Sequence, residues 1–481
     1  MDAIEFAAGI AASDIVATRS GDHLVLSLKG STDRITVNYY FNGDGIGGYE
    51  VDQIRFADGT RWELDTLKAL VQQSTESSDA LYGYATTDVL LGGVGNDSLY
   101  GFAGDDTLDG GVGGDRIEGG DGVDLLRGGE GNDVSYGGNG ADLLLGDDGN
   151  DSLHGDAGDD ILDGGAGNDF LNGGDGSDIY RFIRGCGQDS INNCDTSMGR
   201  TDAIEFAAGI AASDIAATRS GEHLVLSVKG STDTITVNAY FHGSDFYKVD
   251  QIRFADGTHW DRDTIEALVQ QGTEGNDALY GSDAADGLAG GAGDDSLYGF
   301  SGDDTLNGGV GVDGLDGGDG VDLLRGGEGN DHLSGGAGAD KLDGGTGNDA
   351  LNGGTGNDTY VFGPGSGQDT LSDYDTTPGN KDAVAFASGL TADQLWFRQA
   401  GNNLEVSIIG TEDKLTLNSW YAGSGYHVEE FRTSDGHVLI DTMVQNLVQA
   451  MASFAPPPAG QTTLPQDHQN GLAPLLAANW K

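Results

Sequence analysis

The sequence predicts an all-β protein in which two parallel β-solenoids alternate with β-rich capping domains. A nonapeptide with aspartate at its sixth position runs without a register slip from Gly92 to Arg181 and again from Gly272 to Val361. A longer β-rich sequence flanks both blocks, with copies that begin at Asp2, Asp202 and Asp382. Glycine supplies 85 of the 481 residues and proline only 7. A fixed short period of this kind is typical of a solenoid, in which each repeat is one structural unit.

The residues inside the nonapeptide indicate why it coils. Glycine recurs at the first, second and fourth positions, and each glycine costs about 0.5–1 kcal/mol of backbone entropy relative to alanine, so we expect turns with positive φ angles. The seventh to ninth residues, such as "SLY" at 98–100, are expected to form a short strand with the apolar eighth residue inward. Two nonapeptides then complete one coil. Ser135 is the polar exception among the inward-facing positions.

The charge of the chain restricts its partners. With 79 acidic and 23 basic residues, the formal net charge is -56, which disfavours nucleic acid and anionic membrane surfaces and favours cations. No stretch approaches the roughly 18 apolar residues of a membrane span, so we expect no transmembrane segment. The start of the chain lacks a basic head followed by a long apolar run, so we expect no cleavable signal peptide there.

Stacked aspartates require a cation. Neighbouring turns in a β-stack lie about 4.8 Å apart. Carboxylates about 5 Å apart repel by about 0.8 kcal/mol in bulk water and by several times more at a surface dielectric of about 20. Calcium accepts about six to eight oxygen ligands in a tolerant geometry, whereas magnesium is stricter and zinc prefers nitrogen and sulfur. We therefore expect Ca²⁺, with several ions per chain, as the cofactor that allows the coils to form.

The nonapeptides, for example "GGVGNDSLY" at 92–100, resemble the RTX, or haemolysin-type, calcium-binding repeat. The β-rich copies resemble the haemolysin-type calcium-binding-related segment. The resemblance implies parallel β-rolls and calcium ligation by turn carbonyls and by the sixth-position aspartates, which are Asp97, Asp106, Asp115, Asp124, Asp133, Asp142, Asp151, Asp160, Asp169, Asp295, Asp304, Asp313, Asp322, Asp331, Asp340, Asp349 and Asp358. Thr86 and Ala284 replace the fourth-position glycine, so their turns are doubtful sites.

The repeats divide the chain into six segments. We predict a β-rich cap-like domain truncated at its start (1–73), a first RTX β-roll (74–181), a bridge with a β-rich cap (182–271), a second RTX β-roll (272–361), a bridge with a second β-rich cap (362–451) and a C-terminal tail (452–481). The β-rich copy after each block is expected to close the end of that roll, since solenoids generally need terminal units. The alternative is that these copies are independent domains.

Smaller features complete the interpretation. "VDQIRFADGTHW" predicts a strand followed by an Asp-Gly hairpin, and "DRDTIEALVQQ" predicts a short helix with an acidic first turn. The proline-rich tail is expected to be extended or disordered until something binds it. Cys186 and Cys194 are interpreted as idle thiols, with their pairing left open. We expect Asp373 and Asp375 to be exposed turn residues or extra calcium ligands.

The family resemblance also implies how the protein is exported and what role it has. RTX proteins leave the cell through type I secretion machinery that recognises an uncleaved C-terminal signal, which here would lie in the tail. No H-E-x-x-H or G-x-S-x-G sequence is present, so we expect no enzyme. We expect a secreted, extracellular protein, free or attached to the cell surface, with a structural or surface-interaction role and no target that the sequence names. The alternative is the non-catalytic C-terminal part of a larger RTX toxin or secreted enzyme, because Met1 falls inside a β-rich unit.

Overall fold

The computed structural model describes residues 2–49, 51–457 and 460–481. These residues form two compact units, Met1–Ile265 and Glu266–Lys481. Each unit contains one nonapeptide block folded as a parallel β-roll, together with β-rich segments that continue it. The predicted all-β class with two parallel β-rolls is therefore confirmed. In the described ranges, no helix is long and apolar enough to cross a membrane.

Most nonapeptide strands are longer than the three residues that the sequence predicts, whereas Ile161–Asp163 and Ser296–Tyr298 have that length. A typical strand, Thr107–Val112, begins at the seventh position of one repeat and continues through the third position of the next. Its burial alternates, so Leu108 and Gly110 both face inward. The first-position glycine has extended backbone rather than a positive φ, which is why the strand continues through it. Parallel pairing joins Leu108 to Leu126, so the prediction that like turns stack every second nonapeptide is confirmed.

The first unit holds two large sheets and two small ones. In spatial order, the nine-stranded sheet consists of His259–Asp261, Gln251–Phe254, Ala203–Phe206, Ile179–Phe182, Ile161–Asp163, Leu143–Asp148, Leu125–Glu130, Thr107–Val112 and Val89–Val94. The ten-stranded sheet consists of Ile215–Ser220, His223–Val228, Thr234–Val237, Gln188–Ile191, Phe170–Asp175, Ser152–Ala157, Val134–Asn139, Arg116–Asp121, Ser98–Ala103 and Ala80–Tyr82. The small sheets consist of Ala3–Glu5, Gln53–Arg55 and Arg61–Trp62, and of Ile15–Ser20, His23–Leu28 and Arg34–Val37.

The second unit repeats this plan. Its nine-stranded sheet consists of Ala278–Tyr280, Ser296–Tyr298, Gly314–Gly320, His332–Gly338, Ala350–Thr355, Gln368–Leu371, Lys414–Leu417, Asn403–Ile408 and Leu395–Ala400. Its eight-stranded sheet consists of Gly287–Ala292, Thr305–Val310, Leu323–Glu328, Lys341–Thr346, Thr359–Phe362, Ala383–Phe386, Glu430–Arg432 and Val438–Ile440. Helices are few in the described chain: α1 is Leu64–Val71, α2 is Arg262–Val269, α3 is Asp441–Met451 and α4 is Gln466–Asn479. Short 3₁₀ turns are Ala12–Asp14, Ala212–Asp214, Asp245–Tyr247, Ala392–Gln394, Trp420–Ala422 and Ser424–Tyr426.

The core of each roll is a row of apolar eighth-position side chains. Leu108, Leu126 and Leu144 are completely buried, and successive members pair in register along one sheet. Ser135 stands in the equivalent row of the other sheet, between Ile117 and Leu153, and it is also completely buried. Its hydroxyl oxygen has no hydrogen-bond partner, so this one coil loses apolar contact and leaves a polar atom unsatisfied.

The β-rich copies that follow the two rolls share sheets with them, whereas the strands of the first copy form only the two small three-stranded sheets. In the first unit, Phe170–Asp175 pairs in parallel with Gln188–Ile191, which pairs in parallel with Thr234–Val237. His223–Val228 then joins the same sheet antiparallel. The hairpin predicted around "ADG" is confirmed, since Gln251–Phe254 pairs antiparallel with His259–Asp261, and the short helix predicted after it is α2. Each sheet thus passes from parallel coils into an antiparallel hairpin at its end.

The tail does not match its prediction. Residues 466–479 form α4, which packs against α3, and Trp480 is only 4% exposed. The backbone N–H of Val438 donates to the carbonyl of Lys481 at 2.8 Å, and the reverse bond is 3.0 Å long. The expectation of an extended or disordered tail is therefore wrong for these residues. The physical reason is an apolar series, Leu464, Leu472, Leu476 and Trp480, which is buried in the core of the second unit.

Candidate metal centre

The sixth-position aspartates form ladders along the turns of each roll. The backbone N–H of Asp97 donates to Oδ1 of Asp115 at 2.7 Å, and that of Asp115 donates to Oδ1 of Asp133 at 2.7 Å. The opposite edge of the coil carries a second ladder, in which the N–H of Asp106 donates to Oδ1 of Asp124 at 2.8 Å. Each bond spans 18 residues, which is one complete coil. One carboxylate oxygen of every ladder aspartate is therefore fixed by the turn before it.

The second oxygen of these carboxylates has no partner. All the predicted ligands have Oδ2 buried with no hydrogen-bond donor, and their exposed fractions are 2% or less: they are Asp97, Asp106, Asp115, Asp124, Asp133, Asp142, Asp151, Asp160, Asp169, Asp295, Asp304, Asp313, Asp322, Asp331, Asp340, Asp349 and Asp358. The structure thus gives every one of them the same place in its turn. A buried charged oxygen without a partner is strongly unfavourable, so this arrangement calls for positive charge beside it.

Glycine keeps the surroundings of Oδ2 open. Gly110 is the first residue of the nonapeptide whose sixth residue is Asp115, and a Cβ there would overlap Oδ2 of Asp115. Gly113, the fourth residue, has φ +140°, and a Cβ there would overlap the carbonyl oxygen of Gly95 in the preceding stacked turn. Larger side chains at these positions would therefore displace the oxygens. The turns gather carboxylate and carbonyl oxygens, which are the donors that calcium prefers.

The raised pKa values of the ladder aspartates are consistent with buried carboxylate oxygens that lack a partner. Burial, helped by the carboxylates of Asp151 and Asp115, raises the pKa of Asp133 to about 7, although the hydrogen bond from the backbone N–H of Asp115 lowers it. Burial likewise raises the pKa of Asp160 to about 7 and that of Asp178, at the end of the first roll, to about 8. Without a cation, folding therefore shifts these aspartates towards their protonated form. A bound cation would reverse this preference, because it stabilises the charged form.

The first turns of each block differ from the rest. Oδ2 of Asp88 accepts from the backbone N–H of Tyr84 at 2.7 Å, and its Oδ1 accepts from Nε2 of Gln72 at 2.9 Å. Oδ2 of Asp286 similarly accepts from the N–H of Ser282 at 2.5 Å. These carboxylates lie in the turns that contain Thr86 and Ala284, where the sequence made the sites doubtful. Local donors satisfy them, so they lack the unpartnered oxygen of the later turns.

The ladders also continue beyond the nonapeptides, which sequence reasoning missed. The N–H of Asp169 donates to Oδ1 of Asp189 at 2.9 Å, and that of Asp178 donates to Oδ1 of Asp202 at 3.0 Å. In the second unit, the same bonds run from Asp349 to Asp369 and from Asp358 to Asp382, at 3.0 and 2.8 Å. The signal was present in the "GxGQD" turn of each bridge, but the spacing there grows to 20 and then 24 residues. A constant period of nine residues therefore does not include these aspartates.

The side chains alone do not complete a coordination sphere. Within the ranges that the structure describes, no three His, Cys, Asp or Glu side chains converge on one point. Backbone carbonyls of the glycine turns would therefore have to supply the remaining ligands. The residues fit a hard cation such as calcium and do not fit zinc, which prefers nitrogen and sulfur donors.

Comparison with known proteins agrees with this geometry. The family described as "RTX calcium-binding nonapeptide repeat (4 copies)" matches residues 82–117, 109–144, 145–180, 271–297, 280–315, 316–351, 325–360 and 334–371. The chain belongs to the RTX repeat proteins. The "Haemolysin-type calcium binding protein related domain" matches the β-rich copies at residues 23–66, 223–264 and 403–442.

Individual proteins and solved structures match only parts of this chain. The iron-regulated protein FrpA of Neisseria meningitidis serogroup C is 43% identical over 103 residues, which are 21% of this chain and 9% of that protein. The chain thus matches less than a tenth of that relative's length. The crystal structure of the extracellular lipase LipA from Serratia marcescens covers 62% of this chain and 38% of its own, with 18% identity and a TM-score of 0.15.

Proposed function

We propose that this RTX chain is a secreted calcium-binding protein whose β-rolls fold when calcium binds outside the cell. The observation that carries the proposal is the row of buried, unpartnered Oδ2 atoms at the turns from Asp97 to Asp169 and from Asp295 to Asp358. We propose that the predicted aspartates, from Asp97 to Asp169 and from Asp295 to Asp358, hold the ions together with the glycine carbonyls. Each ion would neutralise carboxylates that otherwise oppose folding, so binding and folding would be coupled.

Calcium-coupled folding can be measured on the intact chain. Circular dichroism in EGTA should show little β-structure, and a few millimolar calcium should restore it in a cooperative transition. A site at ten times its Kd adds about 1.4 kcal/mol, so several sites together are comparable with the usual stability of a domain. Magnesium at the same concentration is the control, since its stricter octahedral geometry suits these turns poorly. A β-signal that is indifferent to EGTA would refute the coupling.

We also propose that the chain leaves the cell through type I secretion machinery and that the C-terminus carries the address. Membership of the RTX family and the proposed calcium-coupled folding support this route, because a chain that stays unfolded at low calcium can thread a channel. Deleting residues 452–481 alone is ambiguous, since α4 packs against α3 and the deletion also damages the fold. Fusing residues 452–481 to an unrelated passenger in cells with a matching transporter separates these effects. A passenger that stays inside the cell would contradict the proposal.

The proposed role is structural or surface-interacting, at the cell surface or free in the medium, rather than catalytic. The family matches assign most of the chain to calcium-binding repeats and their related segments, which supports this role. The alternative is the non-catalytic part of a larger toxin or secreted enzyme, favoured by a match that covers only 9% of FrpA. An antibody against the rolls decides between them, because a secreted band much larger than 49.5 kDa supports the alternative.

A further inference from the structure

The two bridges correspond in sequence but differ in charge. "INNCDTSMGRTDA" at 191–203 aligns with "LSDYDTTPGNKDA" at 371–383. Asn193 and Arg200 of the first bridge thus correspond to Asp373 and Asn380 of the second. Both bridges keep the aspartate that receives the end of the ladder, Asp202 or Asp382.

In the first unit, a buried guanidinium neutralises this junction. The side chain of Arg200 is 7% exposed and is paired with Asp202, whose side chain is completely buried. Nε of Arg200 lies 3.2 Å from Oδ2 of Asp195, and Nη1 lies 3.5 Å from Oδ2 of Asp250. Arg262 supplies a second positive charge, with Nη2 2.7 Å from Oδ1 of Asp250. The carboxylates of the first junction therefore have cations built into the chain.

The amide of Asn193 is also fully engaged. The hydroxyl of Tyr180 donates to Oδ1 of Asn193 at 2.7 Å. Nδ2 of Asn193 donates to Oδ2 of Asp202 at 2.8 Å and to the carbonyl of Lys248 at 3.0 Å. A neutral amide thus joins the tyrosine to the ladder aspartate without adding charge.

The second unit places more negative charge at the same position and no guanidinium. Asp373 is 3% exposed, and its carboxylate faces the hydroxyl of Tyr360 and the carboxylate of Asp382, although neither of its oxygens has a hydrogen bond of normal geometry. Asp382 is 1% exposed; its Oδ1 accepts from Asp358 N–H, and its Oδ2 accepts from Nδ2 of Asn380 at 2.6 Å. The prediction that Asp373 is an exposed turn residue is therefore wrong, because the bridge folds it inward beside Asp382.

The neighbouring residues do not replace the missing cations. Thr442 stands where the first unit has Arg262. Lys381 is largely exposed, and its Nζ lies 3.7 Å from Oε1 of Glu430 on the surface. Across the described part of this unit, no ion pair joins a basic side chain to Asp373 or Asp382. Glu429 adds another carboxylate, since its Oε2 accepts from the N–H of Asp382 at 2.8 Å.

We propose that a divalent cation, calcium by its donor chemistry, binds between Asp373 and Asp382 at the place that the guanidinium of Arg200 fills in the first unit. The site offers carboxylate oxygens in a buried position, which favours a hard cation over a transition metal. It lies outside the glycine turns, in the bridge that leads from the second roll into its β-rich copy. One junction is thus closed by an ion pair within the chain, and the other is closed by a metal ion.

The test exchanges the two junctions in the full-length chain. The double variant D373N/N380R gives the second junction the residues of the first, and the reciprocal variant N193D/R200N gives the first junction those of the second. Native mass spectrometry at saturating calcium should count one ion fewer in the first variant and one ion more in the second. Circular dichroism in calcium checks that both variants keep their β-structure.

The outcomes are distinguishable from failure of calcium binding in the turns. Calcium counts that are unchanged in both variants would overturn the junction site and leave a proton shared between Asp373 and Asp382 as the explanation. Loss of nearly all ions from the unaltered chain would instead overturn the proposed function. Crystals grown in calcium give an independent measurement. Anomalous density about 2.3–2.6 Å from oxygens of both aspartates supports the site, and density confined to the glycine turns contradicts it.

Discussion

Replacing Asp133 by asparagine should destabilise the fold in calcium and stabilise it when calcium is removed. Oδ1 of Asp133 accepts from the backbone N–H of Asp115 at 2.7 Å, and the carboxamide oxygen of asparagine can keep that bond. The substitution replaces only the buried, unpartnered Oδ2 by an amino group. It therefore removes one negative charge from the ladder with little change in side-chain shape.

The expected loss of calcium affinity follows from the charged ligand that the substitution removes. Interactions with a charged oxygen contribute about 1.5–3 kcal/mol, and a loss of about 2 kcal/mol corresponds to roughly thirtyfold weaker binding at that turn. In EGTA at neutral pH, the direction reverses. Burial raises the pKa of Asp133 to about 7, so the ionised carboxylate opposes folding there and asparagine relieves that cost.

The assay is calcium titration and thermal unfolding in calcium of Asp133→Asn against the unaltered chain, together with the residual β-signal of both chains in EGTA. Asp88→Asn is the matched control, because both oxygens of Asp88 already accept hydrogen bonds from Tyr84 and Gln72. The control should shift the calcium midpoint far less than Asp133→Asn does. Equal shifts in the two variants, or destabilisation of Asp133→Asn in EGTA as well, would refute the assignment of Oδ2 as a calcium ligand.

Three further predictions concern pH, the core and the ends of the rolls. In the folded chain, the pKa of the ladder aspartates lies above its unfolded value and reaches about 7 at Asp160. The protonated aspartates therefore stabilise the calcium-free fold fully below about pH 4, and this stabilisation is lost as the pH rises towards about 7. The β-signal in EGTA should fall over this window, and an unchanged signal would contradict the burial argument. Ser135→Ala should raise the melting temperature in calcium, because it removes a buried hydroxyl without a partner, whereas Ser152→Ala, at a half-buried position of the next strand in the same sheet, should have a smaller effect. A fragment of residues 266–481 should fold cooperatively in calcium, whereas residues 266–361 should stay largely unfolded; equal cooperativity would show that the β-rich copy does not close the roll.

The period of the sequence predicted the parts of the fold that repeat. Once two nonapeptides complete a coil, Leu108 must stack on Leu126 and Asp97 on Asp115, because each residue has the same backbone environment as its equivalent. The fold class and the stacking of the aspartates needed no further information. The length of the strands was not predicted, because glycine at the first position was interpreted as part of the turn. Gly110 is instead extended and buried inside a strand.

The parts of the site that break the period could not be predicted in this way. Asp189 and Asp202 continue the ladders at changed spacing, so their role depends on how the bridge folds. The same holds for Asp373, whose burial results from tertiary packing and not from its neighbours in sequence. The tail was misjudged for a related reason, since its prolines suggested disorder while α4 packs against a partner distant in sequence.

These aperiodic residues explain how a ladder of identical bonds can end. Every interior turn receives an N–H from the coil before it, so the first and last turns each lack one neighbour. At the start of the first roll, Gln72 donates to Asp88, and Gln270 donates to Asp286 at 2.6 Å in the second. At the other end, Asp202 accepts from Asp178 and then donates its own N–H to Oδ2 of Asp250 at 2.9 Å. The flanking segments therefore satisfy the polar ladder as well as extend the sheets, and a hydrophobic cover without these residues would leave the terminal turns incomplete.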